Sequence, residues 1–310
     1  MANPEYDVVV VGSGPAGLQA ALHIARRRLR VLVLGRPARS KVNRTRIDNL
    51  LGVEQATGDE LLRVGREQAR GAGAELLEED ATRVEREDRG FAVSGESGRG
   101  FRAKAVVLAT GIAANVPRIP GERELAGRGV SYCVDCDASL YRGRRVAVVG
   151  DGSAAAEGAL TLLGLAREVH LVSPGLDVVP ELRAEIEASG VIRHIPRQLA
   201  RIVGDSAVEA VELEGGERLA VEGVFIEQGG KGALDLATPL GVRLDDASAR
   251  FVVTDGQQAT NVPGLFAAGD VTGEPWQVAR AMGQGCVAGI AASQYVRGVA
   301  GPARAVAAAG

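Results

Sequence analysis

Three cysteines and three histidines in 310 residues leave little material for a metal centre. A closed tetrahedral zinc site needs four ligands. Beyond Cys133 and Cys136 only Cys286, His23, His170 and His194 remain, each alone within an apolar or helical pattern, so no metal is expected. A basic excess is also missing: the formal net charge is −3, and nothing in it calls for nucleic acid or an anionic membrane. No apolar run approaches the roughly 20 residues of a membrane-spanning helix. The start, Met1-Ala2-Asn3-Pro4-Glu5-Tyr6-Asp7, shows no basic region followed by an apolar signal segment. The chain is therefore expected in the cytoplasm, a reducing compartment where a close cysteine pair is more often catalytic or metal-binding than a structural disulfide.

What the sequence does contain is one such pair, in Ser131-Tyr132-Cys133-Val134-Asp135-Cys136-Asp137. Two cysteines at this spacing read as a redox dithiol, as half of a zinc site, or as an accident of composition. The ligand count argues against zinc. Asp137 favours the redox reading, because thiol exchange needs a proton donor for the leaving thiolate and a positioned carboxylic acid supplies one.

The length suits two domains. Tyr6 to Val11 is a β-branched apolar run without alternation, the pattern of a strand buried on both faces. Gly12-Ser13-Gly14-Pro15-Ala16-Gly17 follows, then a helical pattern to about Arg28 and a second strand, Val31 to Leu34. In that context the three glycines serve a tight turn, close approach to a pyrophosphate, and helix packing on the strand. The phosphate would sit at the helix N-terminus. After the second strand an acid should meet the adenosine ribose, but Gly35 and Arg36 stand there and leave that contact unassigned. Thr57-Gly58-Asp59-Glu60 forms a capping box before a helix ending near Gly71. Ala105 to Gly111 reads as another buried strand and small-residue turn, and Ala113 to Pro120 as a crossover between domains.

The pattern then repeats. A strand from Arg145 to Val149 leads into Gly150-Asp151-Gly152-Ser153-Ala154-Ala155, with Ala in the third place, and a helix to about Leu163. The first glycines of the two motifs lie 138 residues apart (150 minus 12). After the strand Glu168 to Val172 come Ser173-Pro174-Gly175-Leu176-Asp177-Val178-Val179, with neither arginines for a 2′-phosphate nor an acid at the ribose position. Gly264 to Asp270 is a strand ending in an acid suited to a flavin ribityl hydroxyl, and a helix from about Gln277 to Tyr295 closes the fold before a small, Ala-rich tail that is expected to be mobile.

Over essentially its whole length the sequence resembles the low-molecular-weight thioredoxin reductases. The residues that carry the likeness are the first glycine motif, Ala109-Thr110-Gly111, Tyr132 to Asp137 followed by Tyr141-Arg142-Gly143, the second glycine motif, and Val262 to Asp270. The resemblance implies an α/β protein with two Rossmann-like nucleotide-binding domains, assembled as a homodimer. The FAD domain, residues 1–113 and 246–310, would be split around a central nucleotide-binding-like domain, 114–245, that carries the cysteines. It implies Cys133 as the thiol exchanging with substrate, Cys136 as the one facing the flavin, and Asp137 as proton donor. FAD would be held by Gly12, Gly14, Pro15, Ala16, Gly17, Arg36, Asn49, Thr110, Gly111, Gly269, Asp270, Trp276, Gln277 and Val278. Gly150, Gly152, Ser153 and Ala154 would form a second nucleotide site, open to a second FAD or another nucleotide. Cys286, at a family position in the last helix, reads as a buried structural thiol.

Two departures from the NADPH-using members point the same way. Their His-Arg-Arg run and following Arg correspond to Ser173, Pro174, Gly175 and Val179, and their Arg-Gln-Ala beside the flavin corresponds to Trp276-Gln277-Val278. The chain is similar to the branch that takes electrons from ferredoxin or through a second flavin, so NADPH is not expected. The oxidised partner would be thioredoxin, or another protein or small-molecule disulfide. A dithiol oxidase passing electrons from small thiols to oxygen, an NADPH-dependent thioredoxin reductase, and a non-enzymatic redox sensor are the competing readings.

Overall fold

Short β-branched runs without alternation become parallel strands covered on both faces. In the computed structural model, which describes residues 3–43, 45–111, 119–132, 134–227, 233–246 and 250–298, the chain opens with β1 (Glu5–Val11), α1 (Pro15–Ala25) and β2 (Val31–Leu34). Two short strands, β3 (Arg46–Ile47) and β4 (Ala56–Thr57), precede α2 (Gly58–Gly71), whose N-terminus is capped by Thr57 Oγ1 accepting from Glu60 N at 3.3 Å. Then come β5 (Glu75–Leu77), β6 (Ala81–Glu87), β7 (Gly90–Gly95) and β8 (Gly100–Leu108). The crossover expected at Ala113 to Pro120 lies mostly outside the described residues, as do Cys133, the side chains of Asp135 and Cys136, and the tail from residue 299.

The second unit starts with β9 (Val130–Ser131) and the short helix α3 (Val134–Asp137). It continues through β10 (Arg145–Val149), α4 (Ser153–Thr161), β11 (Glu168–Val172), α5 (Pro180–Ala188) and β12 (Ile192–Ile195). An antiparallel sheet of β13 (Leu199–Val203), β14 (Ala210–Leu213) and β15 (Arg218–Ala220) precedes β16 (Gly223–Ile226). The parallel sheet runs β12-β11-β10-β16-β9. Alternate residues serve its two faces. Val146, Val148 and Leu171 pack with Ala155, Ala159 and Leu182 of the helices, while Ala147, Val149 and Val172 pack with Leu199, Val211 and Leu213 of the antiparallel sheet.

The chain returns to the first unit through α6 (Ala233–Ala237), β17 (Leu265–Ala267) and α7 (Val278–Val296). Residues 1–95, 99–112 and 232–310 make up that unit, and 96–98 and 113–231 the other. The return thus falls at 232 where the sequence reading set 246, because Leu236 and Ala237 are buried in the same core as Val9 and Leu108. In the first unit β5-β2-β1-β8-β17 are parallel, and β7 and β6 extend the sheet antiparallel from the other half of β8. The parallel order, third-second-first-fourth-fifth, is that of a doubly wound nucleotide-binding sheet, and the second unit repeats its first four members. Both units are therefore Rossmann-like, as expected. Ligands of such sheets lie beyond the carboxyl ends of the strands where the order reverses, here β1 with β8 and β10 with β16.

Helices α1 and α7 approach closely because both present small residues. A Cβ on Gly285 would fall 2.2 Å from the Ala16 carbonyl oxygen, and one on Gly289 2.6 Å from that of Ala20. Helix propensity alone would favour Gly285→Ala by about 1 kcal/mol. The overlap is with backbone, which can yield only by separating the helices, and overpacking costs about 1–3 kcal/mol. The expected outcome is a net loss of stability in thermal denaturation. A variant as stable as the parent would show that the contact is loose.

Candidate active site

The two glycine motifs are built alike. Gly12 N donates to Leu34 O at the end of β2, and Gly150 N to Val172 O at the end of β11. Ala109 N donates to Val11 O at 2.7 Å, and Glu227 N to Val149 O at 2.9 Å, so the exits of β8 and β16 are tied to their motifs in the same way. Gly12 and Gly150 both have positive φ, +116° and +156°. A Cβ on Gly12 would lie 2.2 Å from Ala109 O, and one on Gly150 1.7 Å from Glu227 O. Only glycine fits either place.

Around the first motif the expected cofactor residues converge on the carboxyl edge of the sheet. Gly14 caps α1 with Pro15 at its first turn, and Ala16 and Gly17 are buried. Thr110 and Gly111 follow β8, and Gly269 and Asp270 follow β17. Burial pushes the Asp270 carboxyl up, against the pull of Arg280 and Lys41, and among the described residues that carboxylate accepts no hydrogen bond. Asn49 Nδ2 donates to Gln277 Oε1 at 2.9 Å, joining two residues 228 apart in the chain, and Val278 opens α7. Trp276, 41% exposed, has the Lys41 ammonium 5.9 Å from its ring centroid. Arg36 lies 3.8 Å from Asp80, which also pairs with Arg39.

Several supporting residues carried no motif. Gln284 Oε1 accepts from Gly269 N at 2.9 Å and from Thr272 Oγ1 at 3.1 Å, fixing the turn that presents Asp270. Arg280 clamps the same turn through the Gly273 carbonyl at 2.6 Å and Thr272 Oγ1 at 3.0 Å. Both project from α7 at four-residue spacing, the only signal that could have singled them out. Cys286, expected to be buried, is a free thiol of intermediate exposure. His23, which lacked an evident partner in the sequence, lies one turn from Gln19, with their Nε2 atoms 2.9 Å apart.

In the second unit Asp137 closes the cysteine turn. Ser131 Oγ donates to Asp137 Oδ2 at 2.7 Å, and burial, with the Asp137 charge second, raises the Tyr141 hydroxyl. Gly152 caps α4, with Ser153 and Ala154 buried behind it. At the end of β11 Ser173 is 2% exposed and its Oγ lies 3.2 Å from His194 Nε2 on the neighbouring strand. The loop beyond it folds onto the second glycine motif, Asp177 N donating to Asp151 O at 2.6 Å, while Arg183 of α5 donates to the Leu176 carbonyl. Among the described residues no group of three or more His, Cys, Asp or Glu is placed to hold a metal ion, and no helix is long and apolar enough to cross a membrane.

Two Rossmann-like folds in one chain, a glycine cradle with an acid at the exit of β17, and a dithiol sequence in the second fold define a nucleotide-dependent disulfide oxidoreductase. Residues 6–285 match the family described as pyridine nucleotide-disulphide oxidoreductase, and the chain belongs to it. It is 36% identical over 309 residues to a thioredoxin reductase of Aquifex aeolicus, covering 94% of each. Among solved structures it is similar to the atypical thioredoxin reductase TRi from Desulfovibrio vulgaris Hildenborough, with TM-score 0.81, 37% identity and coverage of 96% of this chain and 99% of that one. It is similar also to a ferredoxin-flavin thioredoxin reductase from Clostridium acetobutylicum, with TM-score 0.71, 30% identity and coverage of 96% and 100%. The protein is thus a thioredoxin reductase-like flavoprotein disulfide oxidoreductase, and its family implies FAD. The first site fits that cofactor: Gly12 and Gly17 leave no room for a Cβ, the α1 N-terminus carries no side-chain cap, and the partly buried Asp270 follows β17.

Proposed function

We propose that the enzyme exchanges electrons between FAD and a thiol/disulfide partner, thioredoxin foremost, through Cys133 and Cys136, and that its donor is reduced ferredoxin or a second flavin in place of NAD(P)H. Bound FAD supplies two-electron redox chemistry. Gly12, Gly14, Pro15, Ala16, Gly17, Thr110 and Gly111 hold it from the glycine motif and the β8 exit, Gly269 and Asp270 from the β17 exit, and Arg36, Asn49, Trp276, Gln277 and Val278 complete the set. Cys133 exchanges with the partner and Cys136 faces the flavin. The working unit is a homodimer in the cytoplasm. The observation that carries the choice of donor is Ser173: buried and bonded to His194, it occupies the first place of the His-Arg-Arg run of the NADPH-using pattern, and Pro174 and Gly175 stand where that run has its arginines. The likeness to a ferredoxin-flavin thioredoxin reductase supports the same choice. The test is which donor bleaches the flavin under anaerobic conditions.

In this reading Asp137 delivers the proton to the leaving thiolate, and Ser131 Oγ fixes one of its oxygens at 2.7 Å. Asp137→Asn keeps the size of the side chain and removes the acid. Turnover is expected to fall by roughly 10²–10⁴ with FAD still bound. An unchanged rate in a steady-state assay would make Asp137 structural.

A further inference from the structure

We propose that Glu227 is a positioning residue for the redox pair: it anchors the turn carrying Cys133 and Cys136 and sets how readily their thiols lose a proton. This rests on the reading of those cysteines as the redox pair. Glu227 is the first residue beyond β16, and its Oε1 accepts the backbone N–H of Val134 at 2.8 Å, across 93 residues of chain. Val134 directly follows Cys133, so the carboxylate sits one peptide bond from that cysteine. Glu227 is itself held on several sides. Its N–H donates to Val149 O at 2.9 Å, its carbonyl fills the space beside Gly150, and its Cγ lies 3.7 Å from where a Cβ of Gly158 would stand.

A neutral acceptor would satisfy the Val134 N–H equally well. A carboxylate adds two effects of the same sign. It occupies a donor at the start of the turn, and it places a negative charge beside the peptide that follows Cys133. The charged and titratable groups on the neighbouring elements are mostly acidic. Asp135, Asp137 and Tyr141 belong to the cysteine turn and the segment after it, Glu157 to α4 and Asp151 to the glycine motif, against Arg142 and Arg144 in the turn before β10. Glu227 thus raises the pH at which the reduced pair loses a proton, relative to the same turn held by a neutral acceptor. The same residue seats the cysteine turn against the second glycine motif, so the two share one anchor.

The test uses the full-length holoprotein in a Cys286→Ser background, reduced and desalted anaerobically. The rate of iodoacetamide alkylation at Cys133 and Cys136 is followed from low to high pH by peptide mass spectrometry. In Glu227→Gln the side-chain oxygen can still accept from Val134 while the charge is lost. The alkylation profile of at least one cysteine is expected to move about one pH unit lower, read as ~10-fold faster alkylation at pH values below both midpoints. Glu227→Ala, which removes charge and acceptor together, must shift in the same direction. Profiles of Glu227→Gln that superimpose on the parent, with flavin absorbance and melting temperature retained, would overturn the proposal. Should Glu227→Gln fail to fold, the Glu227→Ala profile decides in the same way. Alkylation involves no electron donor, so an error about ferredoxin or NADPH leaves the experiment intact. Full labelling of both cysteines without prior reduction after exposure to an oxidised dithiol would instead remove the redox pair on which the proposal stands.

Discussion

Anaerobic NADPH or NADH in large excess is expected to leave the flavin oxidised over minutes, while dithionite or reduced ferredoxin bleaches it. A 2′-phosphate carries about two negative charges and is normally met by bidentate arginines. Each missing charge-assisted hydrogen bond is worth about 1.5–3 kcal/mol. Losing two or three of them weakens NADPH by several powers of ten. At the corresponding positions stand Ser173, already bonded to His194, then Pro174, Gly175 and Val179, and the guanidinium of Arg183 is turned to the Leu176 carbonyl. The loop is further closed by Asp177 N on Asp151 O, within the glycine motif itself. NADH gains nothing from the missing phosphate, since no acid occupies the ribose position. In the first unit Trp276 directly precedes Gln277, the partner of Asn49, and an indole stacked on the flavin would cover a face that hydride transfer requires. Trp276→Ala alone should therefore not restore NADPH use, because the phosphate contacts would still be missing. Rapid bleaching of the unaltered protein by stoichiometric NADPH would return it to the ordinary reductases.

Cys133→Ser and Cys136→Ser should each abolish disulfide turnover and leave FAD bound. The expected flavin residues all lie in the unit made of residues 1–95, 99–112 and 232–310, and both cysteines lie in the other, so neither replacement alters a residue of the expected cofactor cradle. The two variants should differ in colour. With Cys136 kept, its thiolate can donate into oxidised flavin and give a long-wavelength absorbance band; with Cys133 alone that band should be absent. Equal bands would reverse or merge the assigned roles, and persistent turnover in either variant would show that electrons take another path.

The parts of this architecture that repeat were legible in the sequence. Gly12 and Gly150 announce themselves because each needs a conformation and a clearance that only glycine has, and the strand before each is an unbroken apolar run. The acid at the end of β17 was legible for the same reason, since Gly264 to Asp270 ends a buried strand abruptly in a charge. Partnerships across the sheet were not. His194 looked isolated because its partner Ser173 lies 21 residues earlier, on the adjacent strand β11 and its exit. Glu227 gave no signal, because a lone acid after a strand has no periodicity and its partner is a backbone N–H. Asp80 was overlooked where an acid after β2 was being sought; it follows β5, the neighbouring strand, and meets Arg36 from there. The return to the first unit at 232 was misplaced because α6 spans only five residues, too few to display a helical pattern.

The fit of α1 against α7 bears on the order in which the protein can be made. Ala16 and Ala20 emerge early in synthesis, while Gly285 and Gly289, the residues they pack against, follow after nearly the whole chain. The parallel sheet has the same character, for β17 joins β8 only after the second unit has been completed between them. Contacts this distant in sequence form late, once loop closure can be offset by packing. A nascent chain therefore exposes the apolar back of α1 until α7 arrives, whereas the second unit, continuous from 113 to 231 apart from residues 96–98, can fold as soon as it is translated. The second unit is thus translated before the first is finished, and the glycine cradle of the first unit is not backed by α7 until residues 278–296 have been made.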